Sequence, residues 1–184
     1  MYIESPDAVQ TVSLEEDGAR ELNTLFTQQD KAELIAKLKP HLRASQFRIL
    51  EAFFAQLEAQ RNSLNIVLPT GVGKTRLGLA IFKALQSLGI VDRMLVLTPT
   101  TLQNEQFCND TMETIKTLDV QLPPTHPFVS PISNFNDDRY TTIMNSSKGL
   151  VNIVASTIQT ASTSAGRRLL LELLMNRQYK GWLV

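Results

Sequence analysis

Apolar residues recur along this chain with two different periods. Short runs in which successive residues are apolar occur at 64–68, Met94 to Leu97, Val151 to Ser156 and Trp182 to Val184. Between them lie longer stretches in which apolar positions return every three or four residues. The first pattern predicts buried strands and the second predicts amphipathic helices. Helices are expected over 74–88, with Leu77, Ile81, Ala84, Leu85 and Leu88 on one face, over about 101–118, and over about 165–178. Strands of this kind alternating with helices predict an α/β fold with a parallel sheet covered on both faces. Ahead of it, a helix is expected from Ser45, a good N-cap, to Gln60, burying Ile49, Leu50, Phe53, Phe54 and Leu57. Residues 1–40 read as a helical N-terminal appendage to a domain over 41–184. Helical spacing recurs there over 14–27 (Leu22, Leu25, Phe26) and 30–38 (Leu34, Ile35, Leu38); Gly18 interrupts the first and Pro40 stops the second. The stretch 119–148, rich in Pro, Ser, Asn and Asp, reads as a long loop holding one short element.

Composition adds a few bounds. A chain of 184 residues is long enough for one domain with a substantial core. Lys plus Arg equals Asp plus Glu at 18 each, so no global field points to nucleic acid or membrane. The distribution is uneven: residues 1–40 carry eight acids against Arg20, Lys31, Lys37 and Lys39, a net of −4, which leaves +4 for the remainder. That bias permits phosphate contacts without demanding them. The single Cys108 excludes a disulfide framework and suits a reducing compartment. No apolar run approaches the ~18 residues of a membrane span. With no basic, apolar leader at the acidic N-terminus, the expected location is the cytoplasm.

The run at 64–68 breaks into Pro69-Thr70-Gly71-Val72-Gly73-Lys74-Thr75, and a helical pattern follows at once. This is the strand–loop–helix setting of a phosphate-binding P-loop. Glycines let the backbone turn tightly, so that successive N–H groups converge on phosphate oxygens. The dipole of the following helix reinforces that spot. Lys74 is placed to meet the β- and γ-phosphates, and the Thr75 hydroxyl to ligate Mg²⁺. One departure stands out: Leu68 occupies the place where the general pattern opens with glycine.

Three further segments stand in fixed order around the loop. Leu42-Arg43-Ala44-Ser45-Gln46 precedes the helix that leads to it. Leu97-Thr98-Pro99-Thr100-Thr101-Leu102-Gln103-Asn104-Glu105-Gln106 follows the second strand, and Val154-Ala155-Ser156-Thr157-Ile158-Gln159-Thr160-Ala161 follows the third. In this order and spacing the chain resembles superfamily 2 helicases and translocases, above all the branch with type III restriction subunits and excision-repair helicase-like proteins. The resemblance covers roughly 41–184, and motif I of that superfamily commonly carries an aliphatic residue at the place of Leu68.

The resemblance implies a RecA-like P-loop NTPase domain with ATP and Mg²⁺ as cofactors. They would be held by Pro69, Thr70, Gly71, Val72, Gly73, Lys74 and Thr75, with Lys74 and Thr75 serving catalysis and Thr75 the metal. Gln46 matches the glutamine that reads adenine; its amide can pair with the donor and acceptor of the Hoogsteen edge. Pro99, Thr100 and Gln106, then Ser156, Thr157 and Gln159, match the two motifs that line a nucleic-acid track. Helix capping by Thr100 or Thr157 is the other reading, and one residue can do both. The implied partner is a nucleic-acid strand, DNA ahead of RNA, with a nuclease or methyltransferase subunit possible in the parent system.

The Asp-Glu pair that such enzymes carry after the second track motif is not reached before Val184, nor is the second RecA-like domain with its arginine finger. A finger alone is worth ~10³–10⁵ in rate. The expectation is therefore the ATP-binding N-terminal part of a helicase-like ATPase, incomplete at its C-terminal side and inactive alone. A non-hydrolysing nucleotide-binding regulatory module is the alternative, and a P-loop kinase fits less well. The same likeness sets a strand order. The strand at 94–97 should lie between 151–155 and 182–184, with 64–68 alone or across a vacant strand-width, and the open edge should make the chain prone to aggregate.

Overall fold

A computed structural model describes residues 27–59, 65–69, 71–118, 129–132, 153–175 and 181–184. The helix expected over 14–27 lies outside these residues but for Thr27, and Thr70 lies outside them too.

Helix α1 spans Gln28–Leu38 and starts on a reciprocal cap: the Thr27 hydroxyl accepts the Asp30 N–H, and the Asp30 carboxylate accepts the Thr27 N–H. Hydrogen bonds from the Thr27 hydroxyl and then its N–H hold the Asp30 carboxyl below its ordinary pKa. Pro40 ends the helix in a 3-10 turn, Lys39–His41, as its missing N–H requires. Helix α2, Ala44–Glu58, begins two residues earlier than an N-cap at Ser45 implies. Ser45 is not its N-cap; that position is Arg43, and Ser45 stands exposed in the first turn. The orphan N–H at the start goes instead to a longer side chain, Gln46, whose Oε1 accepts the Arg43 N–H at 2.9 Å.

The core is organised by helix α3, Lys74–Ser87, which buries Leu77, Leu79, Ala80, Ile81, Phe82, Ala84 and Leu85. Helices α1 and α2 pack on it, and so does α4, Thr101–Leu118. Leu50 and Phe54 of α2 are fully buried in the same cluster, with Ile49, Phe53 and Leu57 half-buried against it.

Strands β1 (Arg93–Thr98), β2 (Val129–Ile132), β3 (Ile153–Thr157) and β4 (Trp182–Leu183) form a parallel sheet in the order β2-β3-β1-β4. Two short helices, α5 (Ile158–Ser162) and α6 (Ser164–Leu174), follow β3. Every residue of β3 is buried, and successive side chains point to opposite faces, so both faces of the sheet are covered there. β2 is the short element expected within 119–148. Among the described residues it pairs with β3 alone, and Pro131, which has no N–H to donate, falls on this outer strand. β1 lies between β3 and β4, as the strand order required.

One strand is corrected. Residues 65–69 have no regular structure, although the run 64–68 read as the strand leading to the loop. The flanks of β1 belong to β3 and β4, so no ladder partner on β1 remains for this segment. Its apolar side chains still sort by side: Ile66 and Leu68 pack on the core, whereas Val67 is 85% exposed. Apolar patterning seats side chains, but a strand exists only where backbone groups find a neighbour. Among the described residues no helix is long and apolar enough to cross a membrane.

This packing sets the contrast expected from mutation. Phe82 is wholly buried, and Phe82→Ala should cost ~3–5 kcal/mol in denaturant unfolding. Val67→Ser should stay within ~0.5 kcal/mol and raise the concentration at which the chain remains monomeric in light scattering.

Candidate nucleotide-binding site

The loop before α3 takes its shape from two glycines. Gly71 has φ 81° and Gly73 φ 86°. Both lie in the left-handed region, where a Cβ crowds the following carbonyl. Gly73 is also the N-cap of α3, and its carbonyl accepts the first helical hydrogen bond, from the Leu77 N–H at 3.1 Å. The two glycines differ in surroundings. A Cβ on Gly71 would meet nothing within 4 Å, while one on Gly73 would lie 2.6 Å from Nε2 of Gln46.

Gln46 is 1% exposed, and its carboxamide lies beneath the loop. Nε2 donates to the carbonyls of Val72 at 2.9 Å and Gly73 at 3.0 Å. Oε1 accepts the Arg43 N–H, so both donors and one acceptor position of the amide are engaged within the chain. Two arginines add ties from either side. Arg43 Nη1 donates to the Gly71 carbonyl at 3.3 Å, and Arg76 Nε donates to the His41 carbonyl at 2.7 Å. The segment 41–46 therefore grips the loop and the start of α3 at four carbonyl contacts. Sequence reasoning quoted Arg43 within a motif without giving it a role, and missed Arg76. Their signal was proximity: one lies three residues before Gln46 and the other two after Lys74.

Beyond the loop, exposed Lys74 and half-buried Thr75 line an open cleft of about 480 Å³. The same cleft is lined by Pro99 and Gln106, so the expected nucleotide and track residues share one depression, and Asp110 adds a carboxylate to its wall. No group of three or more His, Cys, Asp or Glu able to hold a metal occurs among the described residues. Gly71, Val72 and Gly73 lie in the turn as expected; Pro69 is exposed just ahead of it.

The two track turns are neighbours because their strands are. Thr98 is in register with Thr157, and the Thr98 hydroxyl bridges to the carbonyls of Thr100 at 3.2 Å and Ser156 at 3.4 Å. Pro99, Thr100 and Gln159 are exposed; Ser156 and Thr157 are buried in β3. Both threonines cap helices. Thr100 Oγ1 accepts the Gln103 N–H at 3.2 Å, and Thr157 Oγ1 accepts the Thr160 N–H at 3.0 Å. Arg167 and Arg168 are exposed, Arg168 paired with Glu172 at 2.9 Å, and Cys108 is half-buried on α4 with Sγ 3.6 Å from Asn104 Oδ1.

The two glycines should separate by mutation. Gly71→Ala incurs only the left-handed penalty, ~1–2 kcal/mol, whereas Gly73→Ala adds displacement of Gln46 and should cost clearly more in thermal unfolding. Equal losses would show that the contact between Gly73 and Gln46 carries no stability.

Comparison with known proteins follows the same lines. No match was found among curated proteins or among solved structures. The family model described as Type III restriction enzyme, res subunit, matches residues 39–180, from the turn before α2 to the approach to β4. That span includes the loop, the turns after β1 and β3, and three of the four strands of the sheet, and by it the chain belongs to the type III restriction enzyme res subunit family, a helicase superfamily 2 N-terminal domain with a RecA-like fold.

Proposed function

We propose that this chain binds ATP–Mg²⁺ through its P-loop and a strand of nucleic acid through the turns after β1 and β3, as the ATP-binding part of a superfamily 2 DNA translocase. The family supports a helicase-like ATP-binding domain. The observation that carries the finer reading is the shared cleft. Lys74 and Thr75 at the head of α3 face the same space as Pro99 and Gln106 beyond the end of β1. In open parallel sheets ligands bind beyond the carboxyl ends of the strands, where these residues sit.

Each group has a chemical task in this reading. Backbone N–H groups of the loop and the start of α3 take phosphate oxygens, and Lys74 adds a mobile positive charge. Thr75 supplies one oxygen to the Mg²⁺ that neutralises the triphosphate. At the track turns the capping hydroxyls keep a further use. Thr100 accepts from the Gln103 N–H while its own proton goes to Gln103 Oε1 at 3.2 Å. Turning that proton to a phosphate leaves the cap intact, so a cap and a phosphate contact coexist in one side chain. Such contacts hold a strand without reading its sequence.

Lys74→Ala should weaken binding of a fluorescent ATP analogue ~10–100-fold, the loss of a charge-assisted contact of ~1.5–3 kcal/mol. Thr75→Ala should remove the Mg²⁺ dependence of that binding. Circular dichroism should be unchanged in both, because Lys74 is exposed and Thr75 faces the cleft. Wild-type affinity in Lys74→Ala would overturn the assignment.

A further inference from the structure

We infer that Gln46, seconded by Arg43, is a positioning residue for the phosphates: it holds consecutive carbonyls of the P-loop toward the segment 41–46 and so aims the intervening N–H groups, on the opposite side of the loop, at an anion. The inference rests on the P-loop reading and deepens it. It assigns Gln46 a role toward the triphosphate that is independent of the base.

The argument starts from peptide geometry. Each peptide is planar and trans, with no cis bond among the described residues, so the carbonyl of one residue and the N–H of the next point in opposite directions. Arg43 holds the Gly71 carbonyl, and Gln46 holds those of Val72 and Gly73. Three consecutive carbonyls are thereby drawn toward the segment 41–46. The N–H groups of Val72, Gly73 and Lys74 must then face the other way. Successive N–H groups turned to one side around left-handed residues make an anion-binding concavity.

The loop alone does not fix this orientation. Glycine populates both signs of φ, so the peptides flanking Gly71 and Gly73 could flip at little intrinsic cost. What opposes a flip is the buried amide. Turning the Val72 carbonyl outward would strand a donor of a side chain that is 1% exposed, and an unsatisfied buried donor is costly. The Gly73 carbonyl serves two partners at once, Gln46 Nε2 at 3.0 Å and the Leu77 N–H at 3.1 Å. Losing the amide therefore loosens the first turn of α3 as well as the loop.

A glutamine that acts only by reading a base predicts something different, which makes the inference testable with a ligand that has no base. Affinity for Mg²⁺–ATP and for Mg²⁺–tripolyphosphate would be measured by calorimetry on wild type and Gln46→Met, a substitution that keeps volume and removes both donors. Tripolyphosphate affinity should fall about tenfold, and ATP affinity by at least as much. Unchanged tripolyphosphate binding with weakened ATP binding would overturn the inference and leave Gln46 a base contact.

A ligand-free measurement accompanies it: hydrogen exchange of the Leu77 amide by NMR. Gln46→Glu keeps the acceptor for the Arg43 N–H, and with it the start of α2, but offers no donor to the carbonyls. Leu77 exchange should rise several-fold in Gln46→Glu as in Gln46→Met, and unchanged exchange would overturn the inference. A wild-type chain that binds neither ligand would sink the P-loop reading and this phosphate role together. The exchange data would then show whether the amide still secures the loop.

Discussion

The site depends on one buried carboxamide. Gln46 belongs to α2, yet its hydrogen-bonding groups end on the backbone of the loop before α3 and on the entry to its own helix. A polar group at 1% exposure survives in a core only if its donors and acceptors are matched, and here the donors are matched by carbonyls of the loop before α3 and the acceptor by the Arg43 N–H. The requirement runs both ways. The loop carbonyls of Val72 and Gly73 are held by the amide, and the amide's two donors are satisfied by them. Gly73 is the point of closest approach, because any side chain there would collide with Nε2.

That junction is stiffened from behind. Leu50 and Phe54 follow Gln46 at helical steps on α2 and are fully buried, in the cluster that includes Leu77 and Ile81 of α3. Arg76 ties α3 back to the His41 carbonyl, so the two helices are joined on both sides of the loop. Burial is non-directional and does not by itself fix the register of α2 on α3. Directional hydrogen bonds at 2.7–3.0 Å fix it at the loop before α3. Packing supplies most of the stability, and the polar contacts supply the aim.

The sequence made the helices and most of the sheet legible because their signals are local. The apolar face of α3 and the run in β1 each contain the reason for their own structure. Two features were not local. Whether 64–68 forms a strand depends on a neighbour's backbone, which no pattern within the segment encodes, and residues 65–69 accordingly pack without a ladder. Ser45 looked like an N-cap because short hydroxyl residues usually cap helices; Arg43 holds that position instead, and its own N–H is taken by Gln46, three residues on. The loop was legible as a tight turn from Gly71 and Gly73, both of which have positive φ. Its support was not, because Arg43 and Arg76 act through carbonyls, and a carbonyl has no signature in a sequence.

Gln46 shows how the two roles of such a residue constrain one another. An amide has two donors, and both are taken by loop carbonyls. Reading the Hoogsteen edge of adenine needs one donor and one acceptor facing the base. For Gln46 to supply them, at least one carbonyl contact must open. A base read by this residue would then be read at the expense of the loop's rigidity, and the bound triphosphate would have to make good the loss through its own contacts with the loop N–H groups. On the proposed reading, adenine and triphosphate would be coupled through this single side chain.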